Sequence, residues 1–158
     1  MNNKFKTWFY GIGAAVVIGG LFAWPIITDP NRPLVKTWND AGIDCLSSHQ
    51  NASQHIHQSL TITVDGIDEK IPANTGIVSG CMAELHVHEG EAGVIHLETV
   101  LPDKEFKLKD FFIVHGAPLI REGYTLKAKV NGEVVADPAE LILADKQQIT
   151  LDYSVIKP

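Results

Sequence analysis

A mainly β domain behind a single N-terminal membrane-spanning helix is the fold the sequence predicts, and three observations predict it. Residues Trp8 to Ile27 read WFYGIGAAVVIGGLFAWPII, without a charge, and about 20 apolar residues cross a bilayer core. Beyond them, apolar and polar residues alternate with a period of two in several short stretches, as half-buried strands require. No long amphipathic helix separates these stretches. A small β-sandwich or partly open β-barrel with one or two short helices is therefore expected, rather than a parallel sheet.

The elements follow in chain order. Trp8, Tyr10 and Trp24 lie near the ends of the apolar run, where aromatic rings favour the headgroup layer. Lys4 and Lys6 precede it and Asp29 follows, so the positive-inside rule puts the N-terminus in the cytoplasm and the rest outside. No Ala-x-Ala site ends the run, Leu21-Phe22-Ala23 being a weak substitute, and no lipobox cysteine follows. An uncleaved anchor is expected rather than a signal peptide. Four glycines (Gly11, Gly13, Gly19, Gly20) make the run a poor soluble helix but suit contact with a membrane partner. Thr28 to Pro33 is a Pro-rich linker, and Leu34 to Ser53 reads as irregular or briefly helical.

From His55 the pattern turns to strands. His55 to Val64 alternates strictly, with Ile56, Leu60, Ile62 and Val64 on one face and His55, His57, Ser59, Thr61 and Thr63 on the other. Asp65-Gly66 is a hairpin turn. Strands are expected over Met82 to His88 and Gly93 to Val100, and a short helix over Lys109 to His115, stopped by Gly116 and Pro118. Tyr124 to Val130 and Glu133 to Ala136 flank Asn131-Gly132, the strongest hairpin signal in the chain. Asp137-Pro138 opens a turn or short helix, and Gln148 to Val155 closes the domain as a strand. The organisation expected is a cytoplasmic tail and anchor over 1–28, a linker and irregular segment over 29–54, and an extracytoplasmic β-rich domain over 55–158.

Composition narrows the function. The 158 residues carry 13 basic and 19 acidic side chains, a net charge of −6. No basic cluster interrupts this, so nucleic acid is excluded as a partner. The motifs for nucleophilic hydrolysis and phosphate binding are absent from the sequence. Seven histidines are the compositional oddity. Five of them fall in His55-Ile-His57, His86-Val-His88 and His96-Leu-Glu98. Residues i and i+2 of a strand share a face, so each pair can aim two imidazoles at one ion about 2.0–2.1 Å from each nitrogen. Random placement would yield roughly 0.3 His-x-His pairs, counting template matches, against the two present. A single such histidine is ordinarily part of a solvated sheet face; the set points to a site.

The expected metal ligands are His55, His57, His86 and His88. His96 and Glu98 either bind the ion or orient its ligands. Glu84, on the face of His86 and His88, is a further candidate, while His49 and His115 are weaker ones. Imidazole with carboxylate suits copper or zinc, with iron possible; with Met1 and Met82 the only methionines, a Met-rich Cu(I) carrier is not expected. Cys45 and Cys81, the only cysteines, are expected to form a disulfide in an oxidising compartment; thiolate metal ligation is the alternative.

These residues resemble an uncharacterised family of small membrane-anchored prokaryotic proteins. Its hallmarks are a His-x-His strand, a Leu-His-Thr-His-Asp segment and an Ile-His-x-Glu segment. Matching stretches are His55-x-His57-x-x-Leu60-x-Ile62-x-Val64-Asp65-Gly66, Leu85-His86-x-His88 and Gly93-Val94-Ile95-His96-x-Glu98, with Ile71-Pro72-Ala73-Asn74 and Leu108-x-Asp110-Phe111-Phe112. The resemblance runs from about Cys45 to Gly116. Val87, Glu89 and His115 stand where the family usually has Thr, Asp and Trp. It implies one histidine site and names no metal or reaction.

Together these readings point to a single-pass, membrane-anchored extracytoplasmic domain that binds, delivers or senses a divalent transition metal. Its partners would be membrane lipid through residues 8–27 and other membrane-protein subunits. Two alternatives stand beside it: an accessory subunit of a larger membrane complex, and a small His-ligated metalloenzyme in which Glu98 or Glu84 acts as base on metal-bound water.

Overall fold

A computed structural model describes residues 30–46 and 52–157. The expected anchor, Trp8 to Ile27, and His49 lie outside the described residues. Among the described residues no helix is long and apolar enough to cross a membrane.

The described chain opens with helix α1 (Arg32–Asp40). A Lys36–Asp40 pair four residues apart supports its exposed side, at 2.5 Å. Its end is a Schellman motif: Gly42, at φ 80°, donates to the Asn39 carbonyl, and Ile43 donates to that of Trp38. The motif brings Trp38 and Ile43 together at the helix end, and both are fully buried. The segment expected to be irregular or briefly helical is thus helical up to Asp40 and supplies two core residues, and Arg32 and Pro33 of the expected linker already belong to the helix.

Ten strands follow, mainly β as the alternation predicts. They are β1 (Cys45–Leu46), β2 (Gln54–Val64), β3 (Ile67–Glu69), β4 (Ile77–Val78), β5 (Cys81–Ala83), β6 (Leu85–His86), β7 (Val94–Thr99), β8 (Tyr124–Val130), β9 (Glu133–Val135) and β10 (Gln148–Val155). Helix α2 (Leu108–His115) lies between β7 and β8. A small sheet has the order β1-β5-β4, and a seven-stranded sheet the order β6-β7-β2-β10-β8-β9, with β3 also paired to β2. Both sheets are open, and no closed barrel forms among the described residues. One pairing, β2 with β10, is parallel; it joins the first and last long strands of the domain, and the chain between them serves as the crossover.

The turns form where the dipeptides place them. Asp65 and Gly66 join β2 to β3 with φ of 50° and 81°, and Asn131 and Gly132 join β8 to β9 with φ of 52° and 88°. Two positive φ values in a two-residue loop are what a type I′ hairpin needs. Helix α2 begins with a reciprocal cap in which the Lys107 backbone donates to Asp110, and stops at Gly116 in the left-handed region. Its Leu108, Phe111, Phe112 and Val114 are buried in the same core as Leu60, Ile62, Leu85, Ile95, Leu97 and Leu151.

One expected strand is two. Met82 to His88 breaks at Glu84, leaving β5 in the small sheet and β6 at the edge of the large one. Glu84 is the cause. Its carboxylate accepts from the Asp44 backbone at 2.9 Å, from the Thr99 hydroxyl at 2.5 Å and from Lys104 at 2.5 Å. Such a buried junction holds the backbone at the corner between the sheets.

Candidate metal centre

The histidine site is built by strand register. In the large sheet His86 of β6 stands opposite His96 of β7, and His96 stands opposite His57 of β2. Directly opposed residues share a face, so three imidazoles form one row across three strands. The next row along β2 and β7 pairs His55 with Glu98. His88 continues from His86 just beyond β6. The reverse face of the same strands carries Leu85, Ile95, Leu97 and Ile56 into or against the core. The alternation that buries those side chains therefore also gathers the histidines.

The rings are close. The centroid of His96 is 4.5 Å from those of His57 and His88, 5.4 Å from His86 and 5.9 Å from His55. His86 Nε2 lies 3.1 Å from His88 Nε2 and 3.9 Å from Glu98 Oε1, and the same Glu98 oxygen lies 3.1 Å from His55 Nε2. Nitrogens about 2.0–2.1 Å from a tetrahedral ion are about 3.3 Å apart, so these spacings suit ligands of a common ion. Among the described residues, two sets have all donor atoms within 4.8 Å of one another. One is His86, His88, His96 and Glu98; the other is His55, His57 and His96.

Hydrogen bonds assign the nitrogens. His86 Nδ1 is 2.9 Å from the Ala83 carbonyl. A carbonyl only accepts, so Nδ1 carries the proton and Nε2 keeps its lone pair. His96 Nε2 is 2.6 Å from a Glu91 carboxylate oxygen, which places the proton on Nε2 and the lone pair on Nδ1. That Nδ1 is buried without a hydrogen-bond partner. Partners of this kind, a carbonyl and a carboxylate, hold metal-binding imidazoles in one tautomer.

Burial tunes the same groups. It pushes His86 down to about 4, against the lift from the Ala83 carbonyl. Burial also lowers His96, opposed by its bond to Glu91. The bond to His96 holds Glu91 below the usual carboxylate range. His86 is therefore a neutral imidazole at physiological pH, the form that binds metal.

Further supports come from the backbone. Cys45 and Cys81 form a disulfide with Cα atoms 5.0 Å apart. Cys45 pairs with Ala83 across β1 and β5, so the bridge fixes the strand whose carbonyl orients His86. Gly76, at φ 82°, lies against β6: a Cβ there would meet the Leu85 carbonyl at 2.5 Å and His86 Cβ at 3.0 Å. The position accepts only glycine without a shift of the His86 backbone.

Of the expected residues, six come together: His55, His57, His86, His88, His96 and Glu98. Glu84 does not join them, being bound to Lys104, Thr99 and Asp44. His115 sits on α2, stacked on Phe111 at 6.0 Å, and belongs to neither set. Cys45 and Cys81 are disulfide-bonded, not thiolate ligands. Sequence reasoning missed Glu91 as the partner of His96. Its place in the turn five residues before His96, between Gly90 and Gly93, was the available signal. It also missed Asp145, whose carboxylate accepts from the His57 backbone at 3.2 Å.

No protein-family model matches the chain, and no curated protein or solved structure is significantly similar to it.

Proposed function

We propose that the chain is a membrane-anchored extracytoplasmic protein that binds a divalent transition metal, copper or zinc before iron, for delivery or sensing. The observation that carries this reading is the pair of buried polar groups between the two His-x-His motifs. Glu98 is 0% exposed and faces imidazoles of His55 and His86, and His96 holds an unpartnered buried nitrogen. A buried carboxylate is costly to keep charged, and a cation among these donors offsets that cost. Three imidazoles and one carboxylate form a donor set for zinc or copper rather than for calcium or magnesium, which take mostly oxygen ligands.

Four protein donors complete a tetrahedral shell, which favours holding an ion over catalysis at an open position. The disulfide supports an oxidising compartment, in keeping with the outward orientation expected from Lys4, Lys6 and the apolar run. Elemental mass spectrometry of the full chain, purified in detergent and dialysed against trace metals, tests the reading. One ion per chain is expected, and its absence from wild-type protein after loading with Zn(II) or Cu(II) sinks the idea. Protease added to spheroplasts tests the topology: digestion of the domain is expected, and protection contradicts it.

A further inference from the structure

The two donor sets differ in depth and share one residue. His86 and Glu98 have no exposed surface and His88 is half-buried, whereas His57 is exposed and the His55 side chain is 45% exposed. His96 belongs to both sets. Its Nε2 is held by Glu91, and each residue of the two sets offers a single ligand atom. A single nitrogen lone pair serves one ion at a time. Glu98 Oε1 lies next to both sets, 3.1 Å from His55 Nε2 and 3.9 Å from His86 Nε2.

We infer that the cluster is a two-position relay for one ion: His55, His57 and His96 capture a divalent metal at the surface, and it passes about His96 and Glu98 to the buried position at His86 and His88. This rests on the metal-binding reading above and adds a route to it. A buried four-ligand site exchanges slowly when solvent cannot reach it. The exposed pair on β2 supplies two imidazoles that can replace waters of the ion before it is buried. Passage then exchanges His55 and His57 for His86 and His88 while His96 stays bound. The carboxylate beside both positions keeps a negative charge near the ion throughout. The same path run backwards offers the ion to an acceptor at the β2 face.

The relay has a stoichiometry and an order. Sharing His96 makes the two positions mutually exclusive, so one ion saturates a chain despite six candidate donors. The experiment uses full chain in detergent, Zn(II) as the probe, and stopped-flow competition with a zinc-responsive dye for loading and with EDTA for release. Wild-type protein is expected to take up one Zn(II) per chain. H55A/H57A should still fill to one per chain but load at least about tenfold more slowly, the scale on which ligand-shell changes act. Both residues are exposed, so this variant tests the route without disturbing the core. H88A should keep Zn(II) at the surface position and release it to EDTA at least about tenfold faster than wild type. Circular dichroism and an intact Cys45–Cys81 bridge report that H88A is folded. Two ions per chain at saturation overturn the relay, as does loading of H55A/H57A at the wild-type rate. Release from folded H88A at the wild-type rate overturns it too. Wild-type protein that takes up no Zn(II) or Cu(II) overturns the metal-binding reading itself.

Discussion

Glu84, at the break between β5 and β6, and Glu98 of β7 are both buried and are linked by a backbone hydrogen bond from Glu98 to the Glu84 carbonyl. Their surroundings differ in kind. Around Glu84 the chain supplies its own counter-charge: Lys104, with the Thr99 hydroxyl and the Asp44 backbone completing the bonds. Burial works against the charge of Lys104, but its bonds to Glu84 and Asp44 prevail and raise it. Around Glu98 stand the imidazoles of His55 and His86, and burial keeps His86 neutral. The first region is a closed ion pair that shapes the corner between two sheets. The second is a carboxylate set among imidazoles, in a donor group that could hold a metal ion. Two buried residues with the same side chain thus have different settings: one is closed by a lysine of the chain, and the other lies among candidate metal donors.

Breaking the scaffold beside the comparison has the largest effect on stability. The disulfide closes a loop with a sequence separation of 36. Its reduction should cost about 4 kcal/mol in the chain-entropy model, measured by urea unfolding with and without reductant. Lys104→Met comes next. It leaves Glu84 buried without its counter-charge, which costs about 3 kcal/mol; Glu98→Gln removes a buried charge and should change metal-free stability far less. Equal losses from the two variants would erase the distinction between the regions.

Acid sharpens it further. The folded value of His86, about 4, lies below the ordinary 6.5 of the unfolded chain. Between the two the unfolded chain binds more protons, so the stability carried by neutral His86 is present above about pH 6.5 and lost as pH falls toward 4. The whole loss is on the order of 3 kcal/mol. Thermal unfolding of metal-free protein across this range should show it, and His86→Asn should flatten the slope. A slope unchanged by that substitution would show that other groups carry the pH dependence. The smallest effect belongs to Glu91→Gln. It weakens the hold on His96 Nε2 without removing a ligand, so zinc affinity should fall about tenfold, as read by dye competition; an affinity equal to wild type would remove Glu91 from the site.

The histidine cluster was largely legible in the sequence because strand periodicity is local. Two residues apart means one face, so His55 with His57 and His96 with Glu98 were placed correctly by spacing alone. The Asp65-Gly66 and Asn131-Gly132 turns were legible for the same reason, as their backbone demands fall on two adjacent residues. The break at Glu84 was not, because its cause lies in Asp44 and Lys104, far along the chain. Nor was the division of the cluster into a deep and a shallow set, which depends on the cross-strand order β6-β7-β2. The parallel pairing of β2 with β10 joins residues about ninety apart, beyond any local pattern. The burial of Trp38 and Ile43 had a signal in Ala41-Gly42, a helix stop with apolar residues on both sides.

X-ray absorption at the metal edge of zinc-loaded full chain reads the ligands of the ion itself. Nitrogen and oxygen neighbours at about 2.0–2.1 Å with the outer scattering of three imidazole rings are expected, with a marked loss of that ring signal in His86→Asn. Sulfur neighbours at about 2.3 Å, or a zinc site without imidazole scattering, would contradict the histidine metal site.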